Sequence, residues 1–182
     1  MVVINNHKNI LLETNSSGAN YLFHETEYSK YDIADKTLSC GRRPDALKLW
    51  LSLQKHGHSG YIKMAEAAFD KAVYLTEQVK KRPEAFTMVN EPMGTNVCFW
   101  YIPPAFRGKT FSHSQISNTH KLLFERFHEK GTLLIQHNPL PDHNLPNFLR
   151  YTLKGEASRL EDMDYVIAEI DRLGADIDET MV

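Results

Sequence analysis

Three side chains in this sequence could do chemistry: Arg150 in NFLRYTL, Tyr21 in GANYLF and Lys8 in NNHKN. A planar guanidinium grips a carboxylate through two parallel hydrogen bonds and so fixes which way the carboxylate faces. On the residues alone, an arginine at a strand end serving a surface salt bridge is the commoner case. Tyr21 follows Gly18-Ala19-Asn20, a stretch suited to a loop that opens and closes. A phenol is a weak acid in water but a usable proton donor once positioned in a closed site; a lone loop tyrosine more often anchors itself in a core. Lys8 offers a primary amine, whose chemistry would be imine formation with a carbonyl, and an exposed turn lysine is the alternative.

The nine histidines raise the question of a metal. His56 and His58 are two apart in a Gly-rich turn, while His113, His120 and His128 are spaced by seven and eight. Two ligands on one helix face need a spacing of three or four, so these side chains are read as solvated and no metal site is expected. Cys40 and Cys98 are the two cysteines, far apart and without a CxxC. That speaks against a disulfide framework or a zinc knuckle and fits a reducing cytosol.

The elements that must position these groups follow from periodicity. Residues 1–4 read as a short apolar strand end. Residues 15–36, rich in Gly, Asn, Ser and Asp, read as a long ordered loop. From Pro44 the pattern turns helical through Leu47, Trp50, Leu51 and Leu53, is punctuated by Gly57 and Gly60, and resumes from Ser59 to Lys81 until Pro83 stops it. FTMVN (86–90) and NVCFWYI (96–102), joined by a Pro/Gly turn, read as a hairpin, and Phe99, Trp100 and Tyr101 as core residues. Residues 115–130 are helical with Gly131 closing them. TLLIQH (132–137) reads as a strand, NPLPDHNLP as a loop, and NFLRYTL (147–153) as a strand. Ser158 with Glu161 reads as a capping box opening a last helix that runs to Leu173-Gly174. After Pro83 the order ββαββα predicts an α+β layer with helices on one face of a mainly antiparallel sheet. A frayed acidic tail, ADIDET, ends the chain.

At 182 residues, with 42% hydrophobic and 24% charged side chains, the chain is of ordinary globular composition. A formal net charge of −2 gives no reason to expect nucleic acid or an acidic membrane as partner. No apolar run approaches a membrane span and no signal peptide is read, which together predict a soluble, cytoplasmic protein.

Four stretches carry a resemblance: YLFHETEYSKYDIADKTLSCGRRPDALKLWL, TNVCFWYIPPAFRGK, NFLRYTL and DMDYVIAEIDRLGADI. In order and spacing they resemble the C-terminal part of the group II pyridoxal-phosphate decarboxylases, in the branch of the glutamate, cysteine-sulfinate and aspartate 1-decarboxylases. The resemblance covers nearly the whole chain. It implies an α/β fold of the fold-type-I, pyridoxal-phosphate-dependent transferase kind. Residues 1–83 would be the end of the cofactor-binding large domain with a catalytic loop and bridging helices, and residues 84–182 a small C-terminal α+β domain.

The resemblance also assigns roles. Arg150 matches the arginine that binds the substrate's α-carboxylate, and Tyr21 the mobile-loop tyrosine that protonates the intermediate after CO2 loss, reaching toward the partner subunit's site in a homodimer. Cys40, Gly41 and Arg42 match residues near the active site with no role assigned, and a helix N-terminal turn with Arg42 and Arg43 meeting nearby acids is an equal reading. In the family the Schiff-base lysine follows Asn-Pro-His well upstream of the YLF segment. Lys8 stands only thirteen residues before Tyr21, and Asn6 replaces that proline. Lys8 is therefore read as a surface-turn lysine, and the chain as lacking the cofactor lysine, the aspartate at the pyridine nitrogen and most phosphate contacts.

The expectation is thus a carboxy-lyase by family, acting on an acidic amino acid or cysteine sulfinate with pyridoxal phosphate, and inactive as the isolated chain. The alternatives are a non-catalytic dimerisation module, self-paired or paired with a full-length relative, and a stand-alone enzyme using Lys8. Helices 44–56 and 59–81 are expected to show an uncovered apolar face.

Overall fold

The computed structural model describes residues 7–19, 21–23, 26–39, 41, 45–154 and 158–182. The strand expected at residues 1–4, Cys40, Arg42 and the side chain of Lys8 lie outside the described residues. The chain forms two compact units, Met1–Lys55 and His56–Val182.

In the first unit, a single turn at His7–Asn9 leads into α1 (Ile10–Asn15), and further single turns sit at Ser29–Tyr31 and Ala34–Lys36. Helix α1 was not expected. It is six residues long, too short for its periodicity to show in the sequence. The loop that follows is ordered by its own polar side chains. The Asp35 carboxylate accepts from Ser16 Oγ at 2.8 Å and from the Ser17 N–H at 3.4 Å, and Asn15 Nδ2 donates to the Lys36 carbonyl at 3.3 Å.

The helical run α2 spans Asp45–Lys80 with a break at Gly57, whose φ of 62° and ψ of −176° are non-helical. That backbone region is open essentially to glycine alone, so the interruption read from Gly57 is real. Beyond it, Ala68, Ala72, Leu75 and Val79 recur at spacings of four and three and are buried.

The second unit carries a four-stranded antiparallel sheet in the order β1-β2-β4-β3, with β1 Phe86–Met88, β2 Asn96–Tyr101, β3 Gln136–Leu140 and β4 Leu145–Thr152. β1 and β2 form the expected hairpin. Helix α3 (His113–Lys130) then leads to the far edge, where β3 turns back so that β4 lies between β3 and β2. α3 starts where Ser112 caps it: the Gln115 N–H donates to Ser112 Oγ at 3.2 Å, and the Ser112 N–H donates to Gln115 Oε1 at 3.1 Å. It ends at Gly131, φ 63°, whose N–H reaches the Phe127 carbonyl at 2.9 Å.

Two boundaries differ from expectation. Thr132–Leu134 lie outside the strand and Leu134 is exposed; the strand is Gln136–Leu140 and takes in Pro139. β3 is an edge strand with an irregular register between Asn138 and Leu140, a setting in which a sheet tolerates a proline without an N–H. The Pro-rich stretch is therefore strand, one turn at Pro141–His143, Asn144 at φ 52°, and strand again. Helix α4 is Leu160–Gly174 and begins one position later than the Ser158 cap predicts. Its first turn is closed by the Arg159 N–H donating to Asp162 Oδ2 at 2.7 Å.

The core fills one side of the sheet. Val97, Phe99, Tyr101 and Leu149 from the strands meet Leu75 and Val79, Leu123 and Phe127, and the stripe Met163, Val166, Ile167, Ile170 and Leu173 of α4. The ββαββα layer with helices on one face is as read.

Candidate functional site

Alternation along β2 decides what the other side of the sheet presents. Val97, Phe99 and Tyr101 are buried, and Asn96, Cys98 and Trp100 point the opposite way. Pairing fixes their neighbours: Cys98 lies opposite Arg150, Arg150 also lies opposite Gln136, and Asn96 lies opposite Thr152. Directly paired residues project from the same face with Cβ atoms about 5 Å apart. The outward face thus carries the row Cys98–Arg150–Gln136, with Arg150 on the central strand β4. The core contributed by α3, α4 and the second half of α2 lies on the opposite side, and Phe148, two residues before Arg150, shares the outward face and is buried.

Arg150 is exposed and makes no hydrogen bond or ion pair with a described residue. Three other arginines behave differently: Arg107 pairs with Asp171 at 2.8 Å, Arg172 with Glu169 at 2.7 Å, and Arg126 with Asp176. Burial pushes the Cys98 thiol up from its ordinary range, and the Arg150 charge pulls it back in part. A guanidinium that is exposed and unpaired among the described residues is what a carboxylate ligand needs.

Tyr21 lies in the first unit, 85% exposed, in the turn after Ala19, where the Leu22 and Phe23 N–H groups both reach the Ala19 carbonyl. It is not anchored in a core. Gly41, also in the first unit, is exposed with nothing near its Cα that a side chain would meet. Lys8 falls in the turn His7–Asn9.

The first unit has a hollow of about 510 Å³ edged by Ser16, Gly18, Phe23, Lys30, Asp35 and Lys36. Pyridoxal phosphate needs an imine-forming amine, a carboxylate at its ring nitrogen and donors for its phosphate. Here Lys36 Nζ donates to the Lys30 carbonyl, the Lys30 ammonium sits 4.9 Å over the Tyr31 ring, and Asp35 is taken up by Ser16 and Ser17. The hollow does not fit the cofactor. Among the described residues there is no cluster of three His, Cys, Asp or Glu side chains able to hold a metal.

One histidine corrects the reading of solvated side chains. His120 is fully buried. Its Nε2 accepts from the Tyr101 N–H at 2.9 Å, so its Nδ1 carries the proton donated to the Ile116 carbonyl at 2.8 Å. Burial, helped by nearby His137, holds its pKa down to about 4. The spacing 116, 120, 123, 127 along α3 signals this, because it puts His120 on the stripe of Ile116, Leu123 and Phe127. Gln136 and Cys98 were likewise missed as neighbours of Arg150; only strand register places them there.

The pyridoxal-dependent decarboxylase conserved domain matches residues 1–102, and the chain belongs to this family. It is 38% identical over 183 residues to human cysteine sulfinic acid decarboxylase, covering 97% of this chain and 36% of that one. To the mouse acidic amino acid decarboxylase it is 35% identical over 182 residues, covering 97% and 32%. The crystal structure of mouse CSAD in apo form superposes with a TM-score of 0.80 at 35% identity, over 93% of this chain and 35% of that one. A rice TDC with PLP and tryptamine, 18% identical, shares the fold at a TM-score of 0.65. The chain thus spans about a third of the length of the relatives it matches.

Proposed function

We propose that these residues are the C-terminal part of a pyridoxal-phosphate-dependent carboxy-lyase acting on an acidic amino acid or cysteine sulfinate. In this reading residues 1–83 end the large domain and residues 84–182 form the small one. Arg150 binds and orients the substrate carboxylate, and Tyr21 delivers a proton to the carbon that has lost CO2. The observation that carries it is the exposed Arg150 guanidinium, unpaired among the described residues, on the sheet face away from the core, in a chain of the decarboxylase family. Exposure of Tyr21 supports a loop that finds its surroundings only in the assembled enzyme, a cytoplasmic homodimer. The cofactor lysine belongs to sequence that this chain does not contain, so the chain alone is inactive.

The test supplies what is missing. The chain is fused behind the part of human cysteine sulfinic acid decarboxylase that it does not match. CO2 release from cysteine sulfinate, aspartate and glutamate is then followed with pyridoxal phosphate present. The fusion releases CO2 and the 182-residue chain does not. A fusion that binds the cofactor but releases none from any of the three sinks the reading. A single borohydride-trapped adduct at Lys8 of the chain alone would replace it with a stand-alone enzyme.

A second reading, a dimerisation module derived from such an enzyme, is favoured by one observation. Leu47, Trp50, Leu51 and Leu53 stand 51, 55, 53 and 45% exposed, an apolar display that calls for a cover. Both readings expect the isolated chain to self-associate, seen as a mass by light scattering that rises with concentration; a clean monomer contradicts that expectation.

No helix among the described residues is long and apolar enough to cross a membrane.

A further inference from the structure

The row that holds Arg150 contains a second group with the chemistry to hold the same anion. Of the two residues paired with Arg150, Cys98 is half-buried and only a weak donor. Gln136, on the edge strand β3, is exposed and has no hydrogen-bond partner among the described residues. In the next row the Thr152 hydroxyl is committed, donating to Asn96 Oδ1 at 2.7 Å. Arg150 and Gln136 are directly paired donors, neither with a hydrogen-bond partner among the described residues. A carboxylate gripped by one guanidinium still has lone pairs to fill, and a primary amide about 5 Å away at its Cβ supplies N–H groups to fill one.

We propose that Gln136 is a substrate-binding residue that shares the carboxylate with Arg150, the pair acting as one cradle for the acid group of an amino acid. This rests on the carboxylate-binding reading of Arg150. A neutral amide beside the guanidinium adds a donor without adding charge, so the cradle stays selective for a single carboxylate and leaves room on the Cys98 side for the rest of the ligand.

The experiment uses the 182-residue chain labelled with nitrogen-15 and titrated with succinate against chloride at matched ionic strength. The side-chain N–H signals of Arg150 and Gln136 are expected to move along one saturation curve. Gln136→Ala weakens binding about threefold to tenfold, the net worth of one ordinary hydrogen bond, and Gln136→Glu weakens it further by repulsion. Gln136 is exposed, so both variants fold, and an unchanged backbone spectrum checks this. If Arg150 moves while the Gln136 amide stays still and Gln136→Ala binds like the parent, the shared cradle is wrong and the Arg150 reading survives. If the Arg150 signal itself does not respond, both fall.

Discussion

Gly174→Ala is expected to lower the unfolding free energy by about 3 kcal/mol, the upper end of what overpacking a tight core costs. Gly174 ends α4, and a methyl group there would run into the Tyr101 ring, overlapping Cε1 and standing 2.8 Å from Cζ and 3.0 Å from the hydroxyl oxygen. The ring has nowhere to go. Tyr101 is fully buried, its hydroxyl donates to Asp171 Oδ1 at 3.0 Å, the same oxygen takes Arg107 Nη2 at 2.8 Å, and the Phe86 ring lies 5.3 Å away. Burial and the Asp171 charge push the Tyr101 phenol well above its ordinary range, so it remains a donor throughout the accessible pH range. Urea unfolding followed by near-ultraviolet circular dichroism reads the loss. Adding Tyr101→Leu removes the obstructing ring, so the double variant should fall short of the summed single losses. An unchanged midpoint for Gly174→Ala, or strict additivity in the double variant, would show that α4 is not seated against β2 as described. The contact bears on the site because β2 carries Tyr101 on its core face and Cys98, beside Arg150, on the other.

What the sequence reveals and what it hides divide along physical lines. The hairpin, the break at Gly57, the close of α3 at Gly131 and the stripe of α4 are local: period-two or period-3.6 patterns and glycines at positive φ need no distant partner to be recognised. The family resemblance singled out Arg150 and Tyr21, which periodicity alone leaves as a strand-end arginine and a loop aromatic. β3 was misplaced because Pro139 reads as a breaker, and its tolerance depends on being at a sheet edge, a property of the order β1-β2-β4-β3. Gln136 could not be connected to Arg150 for the same reason. The two are fourteen positions apart, and only an antiparallel register sets them opposite each other. Helix α1 was hidden by its shortness, and the α4 cap was displaced by one because Asp162, not Glu161, reaches back to the chain.

His120 makes the folded state acid-sensitive in a window that can be worked out in sign. Its folded pKa, about 4, lies below the unfolded value of 6.5, so between these two values the unfolded chain binds the extra proton and the folded one refuses it. The contribution is fully present above pH 6.5 and is lost as the pH falls toward 4, amounting to about 3 kcal/mol at 1.36 kcal/mol per unit of displacement. The geometry explains the refusal. Nε2 must stay bare to accept the Tyr101 N–H, and a protonated ring would set two N–H groups against each other inside a fully buried pocket, with His137 near enough to add repulsion. The carboxylates held low by partners, Glu169 by Arg172 and Asp176 by Arg126, shift the same way but lose their contribution at lower pH, where carboxylates protonate. His120→Gln removes the titrating ring while keeping an acceptor for the Tyr101 N–H. Measured by urea unfolding from pH 7.5 to 4, the parent should be the more stable at neutral pH, and the gap should narrow by about 3 kcal/mol on acidification. Parallel curves for the two proteins would mean that His120 does not govern the acid limb, and that the ring finds a way to water which the buried geometry denies it.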